Sequence, residues 1–194
     1  AFGRVPTRLV PGHPIAGTER SGVAASFPEL YHNRRVILTP LPQTDVEAVA
    51  RVRSMWEAVG AEVTEMEVAH HDEVLAATSH LPHMLAFGLV DALARMQDND
   101  EMFRYAAGGF RDFTRIASSS PVMWRDICIA NAEALSMMLG RFGDEMTDLA
   151  DAIRRRDADR LLAIFTRAKD ARDRFVDGIE RGAEREGQGR HARD

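Results

Sequence analysis

Arg35-Val36-Ile37-Leu38-Thr39-Pro40 and the Thr44-Asp45-Val46-Glu47 that follows it decide the fold class of this chain. The first run is short, apolar and β-branched and ends in proline, which reads as a buried strand feeding a loop. The second is a capping box, its Thr44 hydroxyl and Glu47 carboxylate placed to satisfy open amide donors at a helix start. Val49, Val52, Trp56 and Val59 then recur at spacings of three or four, forming one apolar face that Gly60 ends. A further strand is expected at residues 62–68. Strand, helix and strand in this order form a βαβ crossover, a unit that belongs in parallel sheets. Only two or three strands are visible, too few to shield their own edges. The chain also opens at Ala1, without an initiator Met and with a strand-like Leu9-Val10, so a missing N-terminal part is expected.

From Ala69 onward strand signals vanish and helical periodicity takes over. A long helix is expected from 69 to 96, with Leu75, Leu85, Leu89 and Leu93 near one face and a kink at Pro82. Ser120-Pro121 is an N-cap with proline at the first helical position, opening a helix through Trp124, Ile127, Leu135, Met138 and Leu139 to Gly140. Asp144 is expected to cap a short helix to Arg155, and Asp157 a last one carrying Leu161, Leu162, Ile164, Phe165 and Phe175. The tail, residues 181–194, has no apolar face and reads as disordered. Helices this apolar suit either a single bundle or a homodimer.

Composition narrows the function. The 194 residues carry 25 Lys plus Arg against 30 Asp plus Glu, a net charge of −5, so the basic surface that binds a phosphate backbone is absent and no nucleic-acid partner is expected. No window approaches a membrane-spanning length of apolar residues, and the start lacks a secretory core, so no membrane partner and a cytoplasmic location are expected. Cys128, the single cysteine, sits in an apolar run and reads as a small buried hydrophobe, which suits a reducing compartment.

Three clusters carry chemistry. In Gly12-His13-Pro14-Ile15-Ala16-Gly17-Thr18-Glu19-Arg20-Ser21-Gly22, a histidine is held between glycine and proline just after a strand-like segment. Loops at the carboxyl ends of parallel strands are where α/β folds place ligands, and an imidazole with a pKa near ~6.5 can accept a proton at neutral pH. A turn histidine bonded to backbone fits the same spacing. His70-His71-Asp72 and Ser79-His80-Leu81-Pro82-His83 form the second cluster. His80 and His83 lie about 60° apart around a helix, whereas His71 stands about 120° from His83, which disfavours a three-histidine metal site on one straight helix. His70 and His80 read equally as structural caps. The third cluster is Gly108-Gly109-Phe110-Arg111-Asp112-Phe113-Thr114-Arg115. Arg111 and Arg115 share a helical face and either could clamp a carboxylate, although an Asp112–Arg115 surface ion pair is the plainer reading.

Taken in order, HPIAGTERSG, HHDEVLAATSHLPH and GGFRDFTRIASSSPVMW resemble the prephenate and arogenate dehydrogenases, enzymes of tyrosine biosynthesis, over residues 8 to 140. The resemblance implies the α/β remnant of a Rossmann-type domain, residues 1–68, followed by an all-α helical substrate-binding and dimerisation domain, residues 69–180. It implies that His13 takes the proton of the substrate's ring hydroxyl, that Arg115 binds a substrate carboxylate and that His83 lines the substrate pocket. Thr18 and Gly108 fall at pocket positions, Gly108 reaching across the homodimer, while Glu19, Asp112 and Trp124 match a polar network at the pocket entrance. The reaction implied is oxidative decarboxylation of prephenate or arogenate with hydride transfer to NAD or NADP.

The family's G-x-G-x-x-G turn does not occur in this sequence, nor does the active-site serine that lies upstream of HPIAG. The chain is therefore expected to be the C-terminal portion of such an enzyme, binding NAD(P)⁺ poorly and turning over little by itself. Two rivals are a non-catalytic helical dimerisation or ligand-sensing module, and a metal-dependent hydrolase built on His70, His71, Asp72, His80 and His83.

Overall fold

Three short strands, β1 (Gly12–Pro14), β2 (Arg35–Leu38) and β3 (Glu62–Glu65), form a sheet in the order β1-β2-β3. The computed structural model describes residues 5–17, 22–97 and 99–191, with the side chains of Asn99, Met102 and residues 179–191 left aside. β2 and β3 are parallel, Val36 opposite Val63 and Leu38 opposite Glu65, and are joined by α1 (Val46–Ala58) in the expected crossover. β1 is antiparallel to β2, with His13 opposite Ile37. His13 thus stands within an edge strand rather than in a loop behind a strand at Leu9-Val10.

Alternation along β2 sorts the sheet into two faces. Val36 and Leu38 are fully buried under α1, packed with Val49, Val52 and Trp56, and Trp56 meets Tyr31 edge-on at 5.0 Å. Gly12 lies opposite Leu38 on this face, where a β-carbon would stand 3.0 Å from the Leu38 side chain. Ile37 and its registered partners His13 and Thr64 take the other face. The cap of α1 differs from the capping box read in the sequence. Asp45 accepts from the Glu47 amide, while the Thr44 hydroxyl accepts from the Leu41 amide and fixes the preceding turn. Gly60, at φ 81°, ends the segment as expected.

Helical chain then runs from Val68 to Ala94 as α2 (Val68–Leu75), a π turn (Ala76–His80) and α3 (Leu81–Ala94). The π turn is what Pro82 does to this helix. A proline ring collides with the carbonyl four residues back and has no amide to offer it. The widened turn, in which the Leu81 amide donates to the Ala76 carbonyl, absorbs the misfit. α4 (Asn99–Arg104), α5 (Gly108–Thr114) and a 3₁₀ turn (Arg115–Ser118) follow, the last packed on α3.

Ser120 caps α6 (Pro121–Ala130) through the Met123 amide, as expected. That helix ends at Asn131, not at Gly140, and α7 (Ala132–Arg155) passes through Gly140 and Asp144 without a stop or a cap. Neither residue meets the requirement of its expected role. Gly140 does not take up a positive φ, and a cap must stand outside helical geometry. Arg156, at φ 56°, makes the turn, and Asp157 accepts from the Arg160 amide to start α8 (Ala158–His191). α8 carries helix through most of the tail expected to be disordered. Its Arg, Glu, Ala and Gln favour helix, and the lack of an apolar face argues against packing rather than against helical backbone. By internal contacts the chain forms two compact units, Ala1–Leu139 and Gly140–Asp194. Among the described residues no helix is long and apolar enough to cross a membrane.

Candidate active site

α2 begins one turn before its histidines because β3 delivers the chain directly to it. The Met66 amide donates to the Leu38 carbonyl, and the Glu67 carboxylate accepts from the His70 amide, which pins the helix start. The His70 and Ala69 backbone amides hold the Glu67 carboxyl below its ordinary range. His71 consequently meets His13, with 3.0 Å between His13 Nδ1 and His71 Nε2. The His71 Nδ1 lies 2.9 Å from an Asp72 carboxylate oxygen.

The π turn brings His80 to the same cluster. Asn131, at the break between α6 and α7, donates its amide to the Asp72 carbonyl at 2.8 Å and lies 3.2 Å from His80 Nδ1. A carbonyl can only accept, so the Asn131 amide nitrogen faces both partners and His80 Nδ1 is the acceptor. His83 donates Nδ1–H to the Ser79 carbonyl at 2.9 Å, which leaves its Nε2 bare when the ring is neutral. Trp124 of α6 stacks on His83 with 3.8 Å between ring centres and lies edge-on to His80 at 6.1 Å. Its indole N–H is buried without a hydrogen-bond partner among the described residues.

Burial lowers the pKa of His13 below its ordinary value, and the neighbouring His71 lowers it further. His80 is lowered by burial first, then by His13 and His71, with Asp72 acting in the opposite sense. Both imidazoles are therefore neutral at pH 7 and His13 is ready to accept a proton. The sign for stability follows. The unfolded histidines take up protons near pH ~6.5 and the folded ones only at lower pH, so acidification through that window favours the unfolded chain. The melting temperature is expected to fall as pH drops from about 7.5 to about 5.5, and to fall less in a His13→Asn, His80→Asn variant.

The structure joins His13, His71, Asp72, His80, His83 and Trp124 in one network; the sequence had not linked His71 to His13. Trp124, expected in a polar network at the pocket entrance, is buried at 6% exposure against the histidines. Asp112 is exposed on α5, Gly108 opens α5 with free space around its α-carbon, and Arg115 is exposed on the 3₁₀ turn. Thr18 and Glu19 lie outside the described residues. Cys128 is half-buried, its sulfur 3.2 Å from that of Met84, and burial pushes the thiol pKa up.

Among the described residues no three His, Cys, Asp or Glu side chains are placed to hold a metal ion. His71 has both ring nitrogens engaged. A cavity of about 570 Å³ opens beyond the carboxyl ends of β2 and β3, lined by Pro40, Leu41, Val46, Val49, Glu65 and Glu67 among others. Its apolar wall suits a flat ring. The phosphates of a dinucleotide do not fit there, because the N-terminus of α1 is already capped by Asp45 and carries Glu47 in its first turn.

Comparison with known proteins gives a consistent answer. A family model described as prephenate dehydrogenase, nucleotide-binding domain, matches residues 2–65, and one described as prephenate dehydrogenase, dimerization domain, matches residues 67–167. The cyclohexadienyl dehydrogenase of Zymomonas mobilis is 42% identical over 84% of this chain and 57% of its own length. The prephenate dehydrogenase of Bacillus subtilis is 40% identical over 86% of this chain and 45% of its own. The chain thus spans about half the length of the curated relatives it matches. Among solved structures, prephenate dehydrogenase from Aquifex aeolicus in complex with hydroxyphenyl propionate and NAD⁺ superposes with a TM-score of 0.79 at 43% identity, covering 84% of this chain and 57% of that one. Synechocystis arogenate dehydrogenase gives 0.76 at 29% identity, over 87% and 62%.

Proposed function

The chain belongs to the prephenate dehydrogenase family, and on that premise we propose that it supplies the proton-accepting and substrate-holding half of a cytoplasmic enzyme of tyrosine biosynthesis. The reaction is oxidative decarboxylation of prephenate or arogenate to 4-hydroxyphenylpyruvate or tyrosine. A nicotinamide dinucleotide, when bound, supplies the acceptor for the substrate's hydride. The observation that supports this reading is the meeting of β1 with α2 at the 3.0 Å contact between His13 and His71, in a half-buried histidine cluster where burial lowers the pKa of His13.

His13 Nε2 takes the proton from the hydroxyl on ring carbon 4. As the oxygen's electron pair forms the carbonyl, the C–H pair leaves carbon 4 as hydride, and the pair freed when the bond to the ring carboxylate breaks with loss of CO₂ runs through the ring onto that oxygen as the ring becomes aromatic. Proton acceptance of this kind contributes about 10²–10⁴-fold. Arg115 holds a substrate carboxylate through its guanidinium fork. His83, kept flat on Trp124, lines the ring's pocket with its bare Nε2, and Gly108 completes the wall, with Asp112 at the rim. Apolar side chains left open on α7 and α8, among them Ile153, Leu162, Phe165 and Phe175, are the surface through which two copies form a homodimer.

Titration calorimetry of the 194-residue chain with hydroxyphenyl propionate tests the substrate-holding part. Binding is expected, and Arg115→Gln is expected to weaken it by about 10–100-fold, the worth of one charge-assisted hydrogen bond. NAD⁺ is expected to bind weakly to the same chain. An Arg115→Gln variant that binds as tightly as the parent removes Arg115 from the pocket.

A further inference from the structure

We propose that His71 and Asp72 are positioning residues that hold His13 in the single tautomer able to accept a proton at Nε2. The inference rests on the reading of His13 as the proton acceptor and adds two residues to it.

The argument follows from which atoms can donate. An Asp72 carboxylate has no hydrogen to give, so the 2.9 Å contact with His71 Nδ1 requires the hydrogen to sit on that nitrogen. A neutral imidazole carries one N–H, which leaves His71 Nε2 as a bare lone pair. That lone pair lies 3.0 Å from His13 Nδ1, so the hydrogen of this second bond belongs to His13. His13 in turn, neutral because of its burial, keeps its other nitrogen bare. The chain of donors thus runs from His13 Nδ1 to His71 Nε2 and from His71 Nδ1 to Asp72. Reversing it requires a His71 imidazolium, which would donate at both ends and turn His13 Nε2 into a donor.

Both bonds also suit the step that follows. Once His13 holds the substrate's proton at Nε2 it is an imidazolium, and its Nδ1–H bond to His71 becomes charge-assisted. Asp72 keeps His71 oriented as the acceptor, as second partners do for metal-bound and catalytic histidines elsewhere. Among the described residues, His80 and His83 do not compete for His13 Nδ1. His80, on the π turn, is an acceptor at Nδ1 through Asn131, and His83 donates to Ser79.

Long-range ¹H–¹⁵N correlation spectra of the intact chain read the tautomers directly, with His13→Asn used to assign the ring. Near neutral pH, His13 and His71 are both expected to show protonated Nδ1 and bare Nε2. His71→Leu, or Asp72→Leu, is expected to lower the ratio of bare to protonated His13 Nε2 by about fivefold, what losing one net hydrogen bond gives. His71→Gln keeps an acceptor oxygen near the former Nε2 position and is expected to restore the wild-type ratio. A wild-type His13 protonated at Nε2, or a ratio that His71→Leu leaves unchanged, overturns the proposal. The underlying reading is followed separately by adding hydroxyphenyl propionate. If the His13 Nε2 signal responds to it while the tautomer is the wrong one, the proton-acceptor reading stands and the positioning role falls. If the tautomer is right and the signal does not respond, the positioning pair stands and the acceptor reading falls.

Discussion

His13→Asn is expected to lower turnover by about 10²–10⁴-fold, the usual contribution of a positioned proton acceptor. The substitution is chosen because the asparagine amide nitrogen lies where Nδ1 of the histidine was, so the donor to His71 Nε2 is kept and only the Nε2 lone pair is lost. Turnover is best read as dinucleotide reduction in a chimera in which this chain replaces the matching part of the Zymomonas mobilis relative, which is 42% identical to it. KM should change much less than kcat, since the deleted interaction develops as the proton moves. A fall confined to KM would make His13 a binding residue.

Trp124→Ala is expected to cost about 3–5 kcal/mol of folding stability, the range for emptying a large aromatic site in a core. Trp124 is 6% exposed and carries His83 on its face at 3.8 Å, so the loss removes both a buried ring and the support of a pocket residue. Trp124→Phe separates the two contributions. It keeps an aromatic surface under His83 and removes an indole N–H that has no hydrogen-bond partner among the described residues, so stability should change by less than about 1 kcal/mol in either direction. Urea unfolding followed by circular dichroism measures both variants. A Trp124→Ala chain as stable as its parent would show that the ring is not part of the core.

Much of the architecture could be read from residue order. β2, α1 and β3 were legible because Val36, Ile37 and Leu38 are apolar without interruption and the helix that follows shows its apolar face every three or four residues. The caps at Ser120 and Asp157 were legible for the same reason that they work, a short oxygen-bearing side chain next to open amides. β1 was not. Three residues are too few for a period, and the antiparallel pairing that puts His13 opposite Ile37 is decided across a separation of 24 positions, from 13 to 37.

The site was legible residue by residue but not as an arrangement. His71 looked misplaced on a straight helix because its true partner comes from the sheet. The π turn at Ala76–His80 changes the phase of the helix between His71 and His83, and only Pro82 hinted at it. Asn131 gave no signal in the sequence, since its part in the cluster depends on α6 ending beside α2. Gly140 misled for the opposite reason. Glycine permits a stop but does not impose one, and α7 continues through it on the strength of its flanking helix formers.

The central claim is that His13, His83 and Arg115 serve one substrate cavity, and a crystal structure with hydroxyphenyl propionate bound tests it most directly. The account predicts the phenol oxygen within hydrogen-bond distance of His13 Nε2, the ring beside His83 and the carboxylate on Arg115. A ligand seated away from His13, or a His13 and an Arg115 that open onto separate surfaces in the monomer and in its dimer alike, would contradict it.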